Sequence, residues 1–342
     1  MRYTDSALNI AAALTCSFVG NAWIIKNLRG NESDEEMVNL IKNTTKNKTL
    51  TLQEFQNKKY EVAQKLDSLG DFIDGCVGLF DEKFPKYDVQ NITNGEKPVF
   101  LTYKGDLDLL DKKHLKVTVI GLLNPTSDIE NLESKIVSKM VDNSAIILSG
   151  LANGCDSVAH KATLNRGGAT VAFLPSTLKN ILPKENLELA KEIVINGGLL
   201  VSEYYEDVEV TNRFSLNALS DRYIKRDRLQ ALFSDMVCLA ASYSKDDSFE
   251  NGKKTNKDSG SRHALEKALK WGIARVAIYG DDEIFKEQMF NLNREIIKDG
   301  ARIIDLDNVA EILEEIKNKK AKKGSDFLLV NDKRAFYMFW CT

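Results

Sequence analysis

The residues whose types and spacing could do chemistry are concentrated between Ala145 and Leu164, a stretch that reads AIILSGLANGCDSVAHKATL. Its apolar start predicts a short buried strand, and Gly150 and Gly154 permit close approaches that a Cβ forbids. Asp156 stands where the N-cap of a following helix is expected. The N–H groups of such a loop and the positive end of the helix suit a phosphate or another anion. A tight turn without a ligand is the alternative, and the glycine pattern alone does not decide between them.

Other groups able to hold an anion lie at the ends of other predicted elements. Lys184 and Asn186 follow a predicted strand, and residues 222–228, RYIKRDR, carry four cations around one aromatic ring. Ser259 and Ser261 place small donors ahead of another predicted helix. Each also has an ordinary explanation as a solvated side chain, an ion pair or an N-cap. Because all of them flank elements of one predicted sheet, we expect them to converge on one groove for a polyanion.

Catalytic groups are scarce, and we assign no catalytic residue. The three histidines lie far apart, and we expect His160 to be a hydrogen-bonded histidine of the core. The sequence lacks the motifs HExxH, GxSxG and GxxxxGK[ST], so it does not indicate a zinc hydrolase, a nucleophile elbow or a Walker-type NTPase. Residues 149–154 also depart from the GxGxxG of dinucleotide sites. We therefore expect neither a cofactor nor a metal.

The elements that must position these groups alternate along the chain. Predicted strands cover residues 99–103, 115–120, 145–148, 170–174, 198–202, 236–241, 276–279 and 301–304, and predicted helices cover 129–141, 157–164, 186–196, 226–233, 261–270 and 309–316. Such alternation predicts an α/β fold with a doubly wound, mostly parallel sheet. Ligands bind beyond the carboxyl ends of the strands in this architecture, which is where residues 149–154 fall.

A helical region precedes the alternating part. From residue 4 to about residue 83 the apolar residues recur at helical spacing, and two of the five prolines follow at positions 85 and 98. We therefore predict four parts of the chain, which are a small all-α N-terminal domain of the SAM or helix-hairpin-helix type over 1–84, a linker over 85–98, an α/β domain over 99–318 and a basic, then apolar, tail over 319–342.

Two further segments interrupt the alternation. Residues 245–258 are polar and predict a mobile loop. The tail carries FLLV and FYMFW, and an exposed segment of this kind is expected to dock on its own domain, with a homodimer contact as the alternative.

The bulk composition is that of a chain with an ordinary core. Its 342 residues are 43% hydrophobic, which suffices for a hydrophobic core that needs no disulfide or metal for its stability. The five cysteines are scattered and never spaced as CxxC, which argues against a zinc site or a disulfide framework and fits a reducing cytoplasm. A formal net charge of −3 argues against a wholly basic coat, so local charge matters more. No apolar run approaches the roughly 20 residues that a membrane span needs.

Residues 149–160, SGLANGCDSVAH, closely resemble the SGxAxGID-xxAH signature of the DNA-processing protein A family, with Cys155 in place of the usual isoleucine. The resemblance spans roughly residues 87–316, and its further motifs lie, in order, at Val119–Gly121 (VVG), Pro183–Asn186 (YPxxN), Leu200–Glu203 (LxSE), Arg226–Arg228 (RNR), Ser259–Ser261 (SGS) and Asp299–Ile303 (the closing GA stretch). Several motifs in the same order are far more specific than any one of them.

The resemblance implies a Rossmann-like domain behind a small helical domain, binding of single-stranded DNA, dimerisation and loading of the RecA recombinase. It implies protection of incoming single-stranded DNA during natural transformation. The residues expected to contact DNA or phosphate are Gly121, Asn124, Ser149, Gly150, Asn153, Gly154, Lys184, Asn186, Arg222, Lys225, Arg226, Arg228, Ser259, Gly260 and Ser261. Asp156 and Glu203 are possible acidic residues of the site.

Some residues depart from the family pattern. Leu122 and Leu123 follow Gly121 where the family has an arginine two positions on, and Asp227 replaces an asparagine. These changes leave room for a second hypothesis, a nucleotide-binding or nucleotide-cleaving sensor of the same superfamily. In that hypothesis Glu203, near the glycine loop, would serve glycosidic cleavage.

Overall fold

The computed structural model describes residues 2–250, 253–255, 257 and 260–322. Four helices open the chain, and they are α1 (Asp5–Leu14), α2 (Asn21–Asn27), α3 (Asp34–Thr44) and α4 (Leu52–Ser68). Ser33 and Thr51 each begin a helix with a reciprocal capping box, in which the side chain of a glutamate three residues on accepts from the backbone N–H of the cap. The predicted N-terminal helical region is confirmed.

A nine-stranded sheet forms the centre of the molecule. Its strands are β1 (Gly75–Gly78), β2 (Phe100–Gly105), β3 (Leu115–Ile120), β4 (Ala145–Ser149), β5 (Thr170–Leu174), β6 (Leu199–Ser202), β7 (Met236–Leu239), β10 (Ala274–Ile278) and β11 (Arg302–Ile304), while β8 (Phe249–Glu250) and β9 (Lys253–Lys254) pair separately. The strand order is β1-β2-β6-β5-β4-β3-β7-β10-β11. Only the β1–β2 and β2–β6 pairs of this sheet are antiparallel, which confirms the predicted mostly parallel α/β fold.

Helices cover both faces of the sheet. They are α5 (Ser127–Asp142), α6 (Cys155–Asn165), α7 (Leu187–Ile195), α8 (Arg213–Leu232), α9 (Arg262–Trp271), α10 (Asn291–Lys298) and α11 (309–322). Alternate residues of each strand serve opposite layers, since Ile147 packs in the cluster of α5, α6 and α11 whereas Leu148 packs in that of α8, α9 and α10. Strand β3 lies between β4 and β7 in the sheet, so the chain extends the sheet first on one side of β3 and later on the other. This reversal of direction creates a crevice at the carboxyl ends of these strands.

The structure corrects three predictions of local structure. Residues 75–78 form an edge strand paired with β2, within the stretch predicted as helical. Helix α8 begins at Arg213, not at residue 226. Asp156 is not an N-cap, because the cap of α6 is Gly154 and Asp156 lies in the first turn.

The segment predicted as a linker packs against the α/β part. The ring of Tyr87 meets Phe233 edge-on, with 5.7 Å between centroids. The carboxylate of Glu96 accepts from Lys267 and Lys270 of α9 at 2.6 and 2.9 Å. The N-terminal helices likewise share one apolar cluster with β5 and α7. The predicted domain boundaries stay a prediction, and the tail from residue 323 lies outside the described residues.

Candidate functional site

A cleft of about 800 Å³ opens at the carboxyl ends of the central strands. The loops after β3, β4, β5 and β7 contribute to its walls, together with the start of α9 and one polar stripe of α8. That stripe consists of Ser220, Tyr223, Ile224, Arg226, Asp227 and Gln230. Its spacing of three and four residues is that of one helix face. The cleft therefore lies at the position where doubly wound sheets bind their ligands.

The glycine loop after β4 is shaped by close packing. A Cβ on Gly150 would lie 1.1 Å from Nη1 of Arg226, so only glycine lets this guanidinium lie against the loop. Gly154 has a φ of +72°, and a Cβ there would lie 2.2 Å from the carbonyl oxygen of Leu122. The N–H of Cys155 donates to that same oxygen at 3.0 Å. The two glycines thus bring the loops after β3 and β4 into contact.

Asp156 binds the loop internally. Its Oδ2 accepts from the N–H groups of Gly150 at 3.1 Å and Ala152 at 3.2 Å, and it lies 3.4 Å from Nη1 of Arg226. The expectation that these N–H groups point at an anion is therefore wrong, because an internal carboxylate already takes two of them. These two N–H groups are therefore not free to bind an anion in the cleft.

Arg226 is the predicted cation that the structure places in the cleft. Only 6% of it is exposed, and its guanidinium lies 3.4 Å from the carboxylates of both Asp156 and Asp227 and 5.5 Å from the ring centroid of Tyr223. Two carboxylates and one arginine are thus packed together at the back of the cleft. Such a buried cluster fixes the guanidinium in place, because a buried charge that moves away from its carboxylate partners is left unpaired at a high cost.

Several predicted site residues hold the framework of the site together. Ser149 Oγ donates to the Val119 carbonyl at 2.7 Å across the β3–β4 pair. Asn186 Nδ2 donates to the Leu151 carbonyl at 2.9 Å and to Asn153 Oδ1 at 3.2 Å. Gly121, Asn124, Asn153, Gly260 and Ser261 do line the cleft, whereas Ser259 lies outside the described residues.

The other predicted cations do not converge on the cleft. Arg228 is 7% exposed and makes a bidentate pair with Glu203 at 2.7 and 2.9 Å. Arg222 donates to the Glu206 carbonyl at 2.7 Å, and its guanidinium lies 4.0 Å from the ring centroid of Tyr204. Lys184 and Lys225 are exposed and lie outside the cleft lining. The predicted convergence of all these cations on one groove is therefore wrong, and Glu203 is part of an ion pair.

Sequence reasoning missed four basic residues of the cleft wall. Lys245 and Lys257 lie in the segment predicted as a mobile loop, where no periodicity marks them, while Arg262 and His263 directly follow the SGS motif and could have been found from it. Lys245 is exposed, and Lys257 Nζ donates to Gln288 Oε1 at 2.7 Å. The lining thus carries four cations (Arg226, Lys245, Lys257 and Arg262) against two carboxylates, Asp156 and Asp227.

His160 is a histidine of the core, as predicted. Its Nδ1 lies 2.7 Å from Thr170 Oγ1, and that hydroxyl donates to the Ile147 carbonyl, so Nδ1 carries the proton. Burial, assisted by the charge of Arg226, lowers the pKa of His160 to about 3. The imidazole is therefore neutral at physiological pH.

The replacement at Cys155 is also accommodated in the core. Its thiol is buried against the backbone of Gly121, where an added Cβ would lie 2.5 Å from Sγ. Burial and the neighbouring Glu133 carboxyl raise the pKa of this thiol, and burial raises the pKa of Glu133 as well. Burial thus disfavours the charged form of both groups, which pack beneath the β3 loop.

The described ranges 2–250, 253–255, 257 and 260–322 hold no group of three or more His, Cys, Asp or Glu side chains placed to bind a metal ion. None of the helices in these ranges is both long enough and apolar enough to cross a membrane.

Comparison with known proteins assigns the chain to a family. A family model described as DNA recombination-mediator protein A matches residues 75–317, well over half of the 342 residues. DNA processing protein DprA of Streptococcus pneumoniae is 36% identical over 126 residues, which are 37% of this chain and 42% of that relative. The alignment thus spans about two fifths of the relative's length.

Solved structures agree on the fold. The X-ray structure of DprA from Streptococcus pneumoniae covers 91% of this chain and 98% of its own, with a TM-score of 0.66 and 23% identity. DNA processing protein A from Helicobacter pylori, described through its single-stranded DNA binding mode, covers 69% of this chain and 99% of its own, with a TM-score of 0.50 and 24% identity. The order of motifs, the doubly wound sheet and the family match lead to one conclusion: the chain belongs to the DNA recombination-mediator protein A family.

Proposed function

We propose that the protein is a recombination mediator that binds single-stranded DNA in the cleft at the carboxyl ends of β3, β4 and β7. The observation that carries the proposal is the excess of cations in the cleft lining, four against two carboxylates. The phosphate backbone dominates the affinity of proteins for nucleic acid, so a cationic groove binds it without regard to sequence. The described binding mode of the Helicobacter pylori relative supports the same ligand.

The cations of the cleft differ in what they can contribute. Arg226 already lies between two carboxylates, so we assign it the role of fixing the back wall. Lys245 is exposed at the rim, whereas Lys257 and Arg262 are partly buried in the lining. These three cations supply the phosphate contacts of the proposal.

Base contacts come from the α8 wall. Tyr223 is partly exposed and Ile224 is 42% exposed, and both line the cleft. Stacking of a base on an aromatic ring is worth about 1–3 kcal/mol and does not depend on base identity. Tyr223 therefore offers a stacking surface for one base of the strand.

Loading of RecA, a homodimeric state and a cytoplasmic location belong to the same proposal. Loading of RecA and the homodimeric state rest on family membership. The cytoplasmic location rests on the cysteines at positions 16, 76, 155 and 238, which are buried as free thiols. As part of this proposal, residues 309–316 of α11 contribute to the dimer contact.

The alternative hypothesis of a nucleotide-cleaving protein requires an acidic residue that is free to reach the substrate. Glu203 is held by both outer nitrogens of Arg228, and Asp156 and Asp227 both lie against Arg226. A general acid or base has to reach its substrate within hydrogen-bond distance, and these carboxylates are engaged elsewhere. The geometry favours binding over cleavage.

The test is fluorescence anisotropy of a labelled single-stranded oligonucleotide at several salt concentrations, with the duplex as competitor. Each phosphate contact on a single strand contributes a slope of about −0.7 in log K against log salt, so three contacts predict a slope of about −2. Lys245→Ala should reduce the slope by about 0.7, since one contact is lost. Lys184→Ala is the matched control, because Lys184 is equally exposed but lies outside the lining. A slope near zero, or equal effects of the two variants, would contradict the proposal.

A further inference from the structure

A second cavity, of about 740 Å³, lies at the opposite end of the sheet. It is placed there by Lys116 near the start of β3, Asp235 just before β7 and Ala274 at the start of β10. The cleft described above opens at the carboxyl ends of the same strands. The two cavities are therefore separated by the length of the sheet, and they share no lining residue.

Lysines dominate this second cavity, which we call the lysine cavity. Its lining contains Lys86, Lys112, Lys116, Lys319, Lys320 and Lys322. The acidic residues of the lining are Asp88 and Asp235. Six cations against two carboxylates is a larger excess than in the cleft. Such a concentration of one charge sign attracts anions of small volume.

Two of these lysines are forced close together. Lys116 is 4% exposed, and its Nζ donates to the carbonyls of Asp111 at 2.5 Å and His114 at 3.5 Å. Lys320 Nζ donates to the same His114 carbonyl at 2.6 Å and to the carboxylate of Asp235 at 2.6 and 2.8 Å. The His114 carbonyl thus accepts from both ammonium groups, while the Asp235 carboxylate pairs with Lys320 and accepts from the backbone N–H of Lys116.

The electrostatic consequence appears in the titration of Lys116. Burial, followed by repulsion from Lys320, lowers the pKa of Lys116 to about 8, although Asp235 and Asp111 oppose the shift and Lys112 adds to it. An anion bound beside the two ammonium groups would reverse this shift, because opposite charge favours the protonated amine. Binding near pH 8 would then take up a fraction of a proton.

The remainder of the lysine cavity is apolar and aromatic. Phe233 and Trp271 are each 2% exposed, and Tyr87, Ile273 and Ile316 also line the cavity. The indole Nε1–H of Trp271 is buried and has no hydrogen-bond partner among the described residues. A buried donor left without a partner is unfavourable, and an acceptor atom on a ligand would relieve it. This wall suits a planar ring that carries acceptor atoms.

We propose that the lysine cavity binds a nucleoside phosphate, with the phosphate at Lys116 and Lys320 and the ring over the aromatic wall. The volume lies within the range of about 300–1,000 Å³ that is usual for small-molecule sites. A free nucleotide and the 5′-phosphorylated end of a DNA strand share this chemistry. The proposal does not rest on DNA binding in the cleft, because none of the cleft's residues takes part.

The test is isothermal titration calorimetry at pH 8 in two buffers of different ionisation enthalpy, with AMP, ATP, inorganic phosphate and a 5′-phosphorylated oligonucleotide as probes. We expect AMP or ATP to bind at least tenfold more tightly than inorganic phosphate, with uptake of a fraction of a proton. A response to the oligonucleotide that requires its 5′-phosphate and survives Lys245→Ala would identify the strand end as the source, and a response to the nucleotides alone would identify the free molecule. Absence of binding by all four probes at millimolar concentration would overturn the proposal.

Variants separate the lysine cavity from unspecific charge. Lys116→Met should weaken nucleotide binding at least tenfold and abolish the proton uptake. Because Lys116 is buried and its replacement can disturb folding, Lys112→Glu and Lys319→Glu test the same surface from exposed positions and should each weaken binding at least threefold. Lys46→Glu, on an exposed lysine of the N-terminal region, is the matched control. Equal effects of the control and the cavity variants would refute the site.

Discussion

Replacing His160 by asparagine is expected to change how the stability of the protein depends on pH. The histidine is fully buried, its Nδ1–H is bonded to Thr170 Oγ1, and burial together with Arg226 lowers its pKa to about 3. In the unfolded chain the pKa is about 6.5. Between these two values the unfolded chain binds a proton that the folded chain does not bind. Acid therefore favours unfolding through His160 as the pH falls from 6.5 toward 3.

The size of the effect follows from linkage. With pKa values of about 6.5 and about 3, the loss of stability is near zero at pH 8, on the order of 2 kcal/mol at pH 5 and on the order of 3 kcal/mol at pH 4. Asparagine does not titrate, and its Nδ2 can replace the Nδ1–H donor. The smaller side chain leaves a void that costs about 1–2 kcal/mol at every pH. The variant should thus be the less stable protein at pH 8 and approach or pass the wild type near pH 5.

The assay is urea denaturation of both proteins at pH 8, 6.5, 5 and 4. Only the difference between the two is read, because groups present in both, such as Glu133 with its raised pKa, cancel in that difference. A difference that stays constant within about 0.5 kcal/mol from pH 8 to pH 5 would refute the reasoning, because the effect worked out above is several times larger. The pKa of His160 in the folded protein would then lie close to its value in the unfolded chain.

Three further predictions concern the framework around the cleft. Gly150→Ala should lower the free energy of unfolding by about 3–5 kcal/mol, because the new Cβ displaces the buried guanidinium of Arg226 from its carboxylate. The control Gly95→Ala, at a glycine with open space, should change the free energy of unfolding by no more than about 0.5 kcal/mol, and equal losses in the two variants would contradict the account. Glu203→Gln should lower the free energy of unfolding measured by urea denaturation by about 3 kcal/mol, since it leaves the buried Arg228 without its charged partner. The same variant should change the Kd for single-stranded DNA less than twofold, and a tenfold weaker Kd at unchanged stability would place Glu203 in the binding site. Burial works against ionisation of Glu96, but hydrogen bonds from two lysines of α9 lower its pKa to about 2, so its contribution is present above pH 4.5 and is lost as the pH falls toward 2. Glu96→Gln should therefore cost about 1 kcal/mol at pH 7 and less at pH 3 by thermal unfolding, and a cost independent of pH would refute the ion pair.

The α/β core could be predicted because its signals are local. Most strands of the sheet are short, largely apolar runs followed by a loop and a helix, so the order of elements can be read from the sequence. Helix α8 shows where this fails. Residues 226–232 are mostly buried against the sheet, while most of residues 213–225 are exposed even where they are apolar, as at Phe214 and Leu216, so burial does not mark the start of this helix. Strand β1 fails for another reason, since four residues containing two glycines become a strand only through pairing with β2.

The sequence predicts a site at the carboxyl end of β4, and that assignment stays a prediction, whereas the pairing of the side chains around it could not be predicted. The glycine loop identifies the carboxyl end of β4, but nothing in its spacing shows that Asp156 takes its N–H groups. Pairings such as Arg228 with Glu203 join residues 25 positions apart, and such contacts depend on the tertiary fold. Lys245 and Lys257 lie in a polar segment without periodicity, so only the fold shows that they face the cleft.

The central claim, that single-stranded DNA lies in the cleft between α8 and the loops after β3 and β4, is tested most directly by photocrosslinking. A single strand carrying 5-bromouracil is irradiated in complex with the protein, and the attached peptides are identified by mass spectrometry. The account predicts attachment at Tyr223 or His263, which line the cleft, and loss of the signal when unlabelled single strand competes. Attachment confined to Tyr87 or Trp271, at the opposite end of the sheet, would contradict it.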